Sequence, residues 1–79
     1  MHTLYVGGLK ASTSADELRR LFSDYGPVER ARIVQDDGSQ VCRGFGYVTF
    51  KAGAAARAAR KALDGRDVAG QVLRVEHTS

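Results

Sequence analysis

The sequence has few of the residues from which small proteins build covalent or metal cross-links. Cys42 is the only cysteine among the 79 residues, so neither an internal disulfide nor a zinc site made of cysteines is available. No apolar run approaches the roughly 20 residues that cross a bilayer, and the N-terminus lacks the pattern of a signal peptide. We therefore expect a domain that folds by packing alone inside a reducing cell, with the cytoplasm favoured and the nucleus left open.

The composition is that of an ordinary globular chain. Hydrophobic residues make up 43% and charged residues 27%, which is too apolar for a disordered segment. The length allows one domain, residues 1–79, with a thin core and little room for a deep catalytic cleft. The net charge of +3 permits a polyanionic partner without identifying one.

Local patterns predict six elements. Ser14 and Glu17 have the spacing of a capping box, and apolar residues three and four apart follow on one helical face before Gly26-Pro27 ends the helix. Alanine-rich sequence predicts the second helix, and runs rich in β-forming residues predict the strands. The predicted strands are 3–6, 28–34, 41–50 and 72–76, and the predicted helices follow Ser14 and span 52–63.

The predicted element order is β-α-β-β-α-β. Two right-handed crossovers then give an α+β sandwich of the ferredoxin-like type, in which a four-stranded antiparallel sheet carries both helices on one face. Because two helices cannot cover both faces, the other face of the sheet is left to solvent or to a partner.

Alternation along the strands predicts which residues occupy the open face. In the third strand Gly46, Val48 and Phe50 have the parity of buried positions, so the outward residues are Arg43, Phe45, Tyr47 and Thr49. Tyr5 has the outward position in the first strand. If the first and third strands are neighbours, three aromatic rings cluster on this face, flanked by arginines at positions 43, 32 and 74, and at position 30 by the same parity. Apolar clusters with a polar rim are typical of binding sites, and rings beside cations suit single-stranded nucleic acid.

Two segments carry a family resemblance that covers essentially the whole chain. Arg43-Gly44-Phe45-Gly46-Tyr47-Val48-Thr49-Phe50 fits the octamer of the RNA-recognition motif at every position. Leu4-Tyr5-Val6-Gly7-Gly8-Leu9 resembles the hexamer of the same family, with one helix and one strand between the two motifs. The hexamer departs from the usual pattern at Gly8, where the family has Asn, and thereby lacks one side-chain hydrogen bond near the loop.

The resemblance implies a role for each matching residue. Tyr5 matches the hexamer ring that stacks on one base, and Tyr47 matches the octamer ring that stacks on the next. Phe45 matches the ring placed against the sugars, and Arg43 matches the cation that pairs with the phosphate between them. Arg32 and Arg74 join the expected RNA-binding residues from strand parity alone. Stacking does not select bases, so we expect modest affinity and limited sequence selectivity.

The same fold layout hosts other functions. An acylphosphatase-like enzyme needs an arginine-bearing phosphate loop and an asparagine, and the chain has no Asn. A copper chaperone needs paired cysteines, and two histidines make a poor metal site. The alternative that stays open is a peptide-interaction module using the helical face. We expect a monomeric non-enzyme that needs no cofactor or metal, binds single-stranded RNA or DNA, does not bind membranes, and leaves room for protein partners.

Overall fold

The computed structural model describes residues 1–39 and 41–78. In chain order the elements are β1 (His2–Gly7), α1 (Ala15–Ser23), β2 (Val28–Gln35), β3 (Cys42–Phe50), α2 (Gly53–Leu63), β4 (Asp67–Val68), β5 (Gln71–Val72) and β6 (Arg74–His77). Strands β2, β3, β1 and β6 form one sheet in that order, and every pairing in it is antiparallel. The predicted ferredoxin-like α+β fold is confirmed.

The start of α1 follows from its capping residues. The Oγ of Ser14 accepts a hydrogen bond from the backbone N–H of Glu17 at 3.2 Å, and the hydroxyl donates to the Glu17 carboxylate at 3.4 Å. The Ser14–Glu17 pair therefore satisfies an otherwise free N–H of the first turn. The helix ends at Ser23, earlier than its apolar spacing suggested, although Tyr25 still packs against the core.

The position of Gly26 in the sequence predicts a left-handed cap at the end of α1, but the residue does not adopt that conformation. Its φ is +154°, far from the left-handed conformation that closes helices. A Cβ on this residue would lie 2.7 Å from the Cβ of Ala55. Glycine at this position therefore lets the chain after α1 pass close to α2.

The core lies between the helices and one face of the sheet. Phe22 of α1 and Phe50 of β3 are both fully buried, with ring centroids 6.3 Å apart. The remaining fully buried side chains come from both helices, from the inward positions of β1, β3 and β6, and from Leu73, which lies between β5 and β6. No helix within residues 1–39 and 41–78 is long and apolar enough to cross a membrane.

The region after α2 differs from the sequence prediction. The sequence predicts the final strand over 72–76. In the structure Val72 belongs instead to β5, which pairs with β4 in a hairpin whose strands have two residues each, and its side chain is 61% exposed. The turn of this hairpin contains Ala69 at φ 52° and Gly70 at φ 82°, the left-handed geometry of a type I′ turn. The backbone N–H of Lys10 donates to the Gln71 side chain at 2.7 Å, and so ties the hairpin to the loop after β1.

Candidate nucleic-acid interface

Three aromatic rings meet on the sheet face that the helices leave uncovered. Tyr5 of β1 pairs in register with Tyr47 of β3, and Gly7 pairs with Phe45. The ring centroid of Tyr5 lies 5.9 Å from that of Phe45 and 6.1 Å from that of Tyr47. The Phe45 and Tyr47 rings are 6.3 Å apart and nearly perpendicular. All three side chains are partly exposed, so the cluster presents ring surface to solvent.

Gly7 gives the Tyr5 ring its position. A Cβ on Gly7 would lie 2.8 Å from the Oη of Tyr5 and 3.1 Å from its ring carbon Cε1. The Tyr5 ring therefore lies over the backbone of Gly7, which is itself buried. Glycine at this position lets the ring lean along the sheet toward Phe45.

Gly8, at which the sequence departs from the family hexamer, lies where its backbone conformation and its neighbours require glycine. Its φ is +79°, and a Cβ there would overlap the carbonyl oxygen of Val72. The close approach of the β5 backbone leaves no space for a side chain at position 8. At the position where the family has Asn, the backbone of this chain therefore contacts the β4–β5 hairpin.

The arginines of the open face fall into two groups. Arg43 Nε lies 2.9 Å from Asp36 Oδ1, in an exposed ion pair across the β2–β3 hairpin. Arg74 Nη2 lies 3.5 Å from Glu76 Oε1 on the same strand. The guanidinium carbon of Arg32, by contrast, stands 5.2 Å above the centroid of the Tyr47 ring, within cation–π distance. The sequence pattern did not indicate either carboxylate partner.

A shallow depression adjoins the aromatic cluster. It measures about 540 Å³ and is lined by Thr3, Arg30, Arg32, Tyr47, Thr49 and Thr78. Of these residues, Thr3 and Thr78 had no place in the sequence-based site. Thr3 is paired with Thr49 in the sheet, and the chain reaches Thr78 directly after β6, where its N–H donates to the Thr3 carbonyl at 3.0 Å.

The structure also places the residues that could ligate a metal ion or act as a nucleophile. In the parts of the chain that the structure describes, no three His, Cys, Asp or Glu side chains could hold a metal ion. Cys42 is buried, and its Sγ accepts a hydrogen bond from the Gly44 N–H at 3.3 Å. On the helical side, a smaller depression of about 110 Å³ lies between α1 and the β4–β5 hairpin.

Comparisons with known proteins agree with this geometry. The chain is 42% identical over 76 residues to the glycine-rich RNA-binding protein 3, mitochondrial, of Arabidopsis thaliana, covering 96% of this chain but 25% of that protein. It is 42% identical over 73 residues to the putative RNA-binding protein RbpE of a Nostoc species, covering 92% and 74% of the two chains. The crystal structure of RNA Binding Protein PG1 superposes with a TM-score of 0.94 at 31% identity, covering 99% of this chain and 94% of that one.

The family model of the RNA recognition motif matches residues 4–74. This range contains both the hexamer and the octamer, and it ends within β6. With the fold, the strand order and the aromatic cluster in agreement, the chain belongs to the RNA recognition motif family.

Proposed function

We propose that this chain binds single-stranded RNA through the open face of its sheet. Tyr5 and Tyr47 each stack on one base, Phe45 contacts the sugars, and Arg43 contacts the phosphate between the two nucleotides. Arg32 and Arg74 supply further cations. The observation that carries the proposal is the cluster of three partly exposed rings, with centroids 5.9–6.3 Å apart, on the face that no helix covers.

The contact between Arg32 and Tyr47 affects how a base reaches the Tyr47 ring. The guanidinium covers the ring face at 5.2 Å, which is too close for a base to slide between them without movement. Arg32 therefore swings aside or comes to lie on the far side of the stacked base. In both arrangements its charge stays close to the nucleic acid, where it is favourable.

The two ion pairs reduce the affinity that the arginines supply. Arg43 and Arg74 must loosen their contacts with Asp36 and Glu76 before they meet a phosphate. Both pairs are exposed, so each costs little to break. Two base stacks supply about 2–6 kcal/mol, whereas a micromolar complex needs about 8 kcal/mol. We expect modest, salt-sensitive binding with limited sequence selectivity.

We infer that the chain acts as one monomeric binding domain within the cell and catalyses no reaction. Its relatives carry the names of RNA-binding proteins, and one of them is named as mitochondrial. No cofactor enters the proposed mode of binding. Analytical ultracentrifugation with and without RNA tests the monomer: we expect one protein per complex, and a stable dimer would contradict this.

The double variant Tyr5→Ala/Tyr47→Ala tests the stacking roles. We expect RNA binding, measured by NMR titration at low salt, to fall by about 2–6 kcal/mol because two stacks are lost. Thermal melting should change little because both rings lie on the open face. The matched control is Tyr5→Phe/Tyr47→Phe, which keeps the rings and should keep the binding. Unchanged affinity in the alanine variant would overturn the site assignment.

A further inference from the structure

The second helix carries a charge equal to the net charge of the whole chain. α2 contains three of the twelve Lys and Arg residues, Arg57, Arg60 and Lys61, and none of the nine Asp and Glu residues. Because the net charge is +3, the formal charges of all other segments cancel. The three side chains, which we call the α2 cations, are exposed. Among the residues that the structure describes, none of them takes part in an ion pair.

The charges of α1 are arranged differently. The first turn of α1 contains Asp16 and Glu17 and its last turn contains Arg20, which is the order that the helix dipole favours. The dipole also favours the two α2 cations that lie in the last turn of their helix. It does not account for Arg57, which lies one turn earlier, three and four residues from the other two, where like charges repel each other. A bound polyanion would relieve this repulsion.

The α2 cations extend along the exposed length of the helix. A Cβ on Gly53 would lie 3.2 Å from Arg57 Nη1 and 3.1 Å from Nε2 of the His2 imidazole. The Arg57 side chain therefore points back toward the start of α2, as helical side chains do, whereas Lys61 lies near the end of the helix. Gly53 and Lys61 are separated by about 12 Å along the helix axis. A strip of this length fits a polymeric anion better than a single small anion.

The surface around the α2 cations has little relief. The other exposed residues of α2 are Ala54 and Ala58, and the large apolar side chains that are exposed, Met1, Val41 and Val72, belong to other segments. A protein partner is held mainly by a few large side chains that fill pockets, and alanines do not form such pockets. A phosphate backbone needs only cations on an accessible surface. The exposed side of α2 therefore favours nucleic-acid phosphates over an acidic peptide.

We propose that the α2 cations bind the phosphate backbone of a second nucleic-acid segment, without stacking on its bases, since α2 contains no aromatic residue. α2 contacts β1, β3 and β6, so its exposed side faces away from the sheet and from the stacking rings. A strand on the rings and a segment on α2 therefore lie on opposite sides of one chain, which bridges them. The bridging rests on the proposed function, whereas the contact of α2 with phosphates does not.

A short RNA duplex of mixed sequence, about 12 base pairs long, tests the α2 contact, because its paired bases are not free to stack on the rings. In an NMR titration at low salt, the duplex should shift the backbone amides of α2 more than those of β1 and β3. Arg57→Gln/Lys61→Gln should weaken duplex binding about two- to thirty-fold, the range for two exposed ion pairs. Glutamine retains helix propensity, and thermal melting of this variant checks its fold. Tyr5→Ala/Tyr47→Ala should leave duplex binding unchanged.

The matched control is Arg20→Gln/Arg66→Gln, which removes the same charge from exposed positions beside carboxylates. Arg20 shares α1 with acidic residues, and Arg66 lines a depression together with Asp24 and Asp67. We expect this variant to bind the duplex as tightly as the natural chain does. Equal weakening in both double variants would assign the effect to net charge and overturn the α2 site.

Single strands of two lengths separate the two faces. The dinucleotide UpU is too short to cross a molecule whose smallest dimension is 22 Å, so it should bind the natural chain and both glutamine variants equally. An oligouridylate of about 24 nucleotides supplies both segments. Its salt slope should fall by about 1.4 in Arg57→Gln/Lys61→Gln, or about 0.7 for each of two phosphate contacts, and stay constant in the control.

Energy transfer between a donor-labelled oligouridylate and an acceptor-labelled duplex measures the bridging. Addition of the natural chain should raise the transfer, and Arg57→Gln/Lys61→Gln and Tyr5→Ala/Tyr47→Ala should each lower it. If both nucleic acids bind but the transfer does not rise, the two faces are not occupied together and the bridging is wrong.

The remaining outcomes separate this inference from the proposed function. If the duplex leaves the α2 amides unshifted, the α2 site is wrong. If an oligoglutamate of the same charge binds α2 as tightly as the duplex, the surface fits acidic protein segments and the assignment to nucleic acid is overturned. If Tyr5→Ala/Tyr47→Ala binds UpU and the oligouridylate as tightly as the natural chain, the proposed function fails, and the duplex titration still decides the α2 contact.

Discussion

The two faces of the sheet are built from alternate residues of the same strands, yet one face is buried and the other is partly exposed to solvent. On the covered face Leu4, Val48 and Phe50 are fully buried. On the open face Tyr5, Phe45 and Tyr47 remain partly exposed. The separation of the rings is similar on both faces, 6.3 Å for Phe22 and Phe50 and 5.9–6.3 Å in the open cluster. The ring separations are thus similar on both faces, and what distinguishes the open face is the absence of a covering layer.

The comparison is sharpest within β3, where one residue type occurs on both faces. Phe50→Ala should destabilise the fold by about 3–5 kcal/mol, because it leaves a cavity beside Phe22. Phe45→Ala should cost about 1 kcal/mol or less, because its ring is already in contact with water. Urea unfolding of the two variants measures both effects. Equal losses of stability would mean that the open cluster is part of the core.

The two faces can also be compared by adding a single Cβ to the backbone at Gly46 and at Gly7. A Cβ on Gly46 would overlap the carbonyl oxygen of Arg32 in the neighbouring strand, so Gly46→Ala should destabilise by about 1–3 kcal/mol. The three atoms nearest to a Cβ on Gly7 all belong to the Tyr5 side chain, whose ring is able to move. Gly7→Ala should therefore leave the melting temperature nearly unchanged and weaken RNA binding by moving that ring. A large loss of stability in Gly7→Ala would show that the ring position is needed for folding.

The smallest expected effect concerns charge on the open face. Asp36→Asn releases Arg43 from its exposed ion pair and should raise RNA affinity by up to about five-fold, since such pairs contribute at most about 1 kcal/mol. The control is Glu29→Gln, which makes the same charge change in the pair with Lys51 but does not release an arginine. Fluorescence anisotropy at two salt concentrations measures both variants. An equal gain in both would assign the effect to net charge.

Most of the fold could be predicted because its signals are local. The Ser14–Glu17 spacing placed the start of α1, and strand alternation placed Val48 and Phe50 under the helices and Tyr47 on the other face. The β4–β5 hairpin was missed because each strand has only two residues and its turn contains Ala69, a residue with no preference for the positive φ of 52° that it adopts. Within the turn, the N–H of Gly70 donates a hydrogen bond to the carboxylate of Asp67 at 3.1 Å, a contact that alternation along the strands does not predict.

The identity of the open-face residues could also be predicted, but their partners could not. The pairing of Arg43 with Asp36 depends on the register of the β2–β3 hairpin, which shifts between Ile33 and Gln35. Likewise, the contacts that Thr3 makes with Thr49 and Thr78 form only when three separate segments meet. Such contacts join residues far apart in the chain, and alternation within one strand carries no information about them.

The central position of β1 has a consequence for how the protein is made. Of the four strands of the sheet, β1 is synthesised first, yet its hydrogen-bonding partners are β3 and β6, the last of the four. Tyr5 and Tyr47 come from opposite halves of the described chain, so no short nascent segment contains the complete ring cluster. Contacts of such long sequence separation slow folding. If Tyr5 and Tyr47 both stack on bases, as we propose, we expect the growing chain to bind RNA only after its second half has been synthesised.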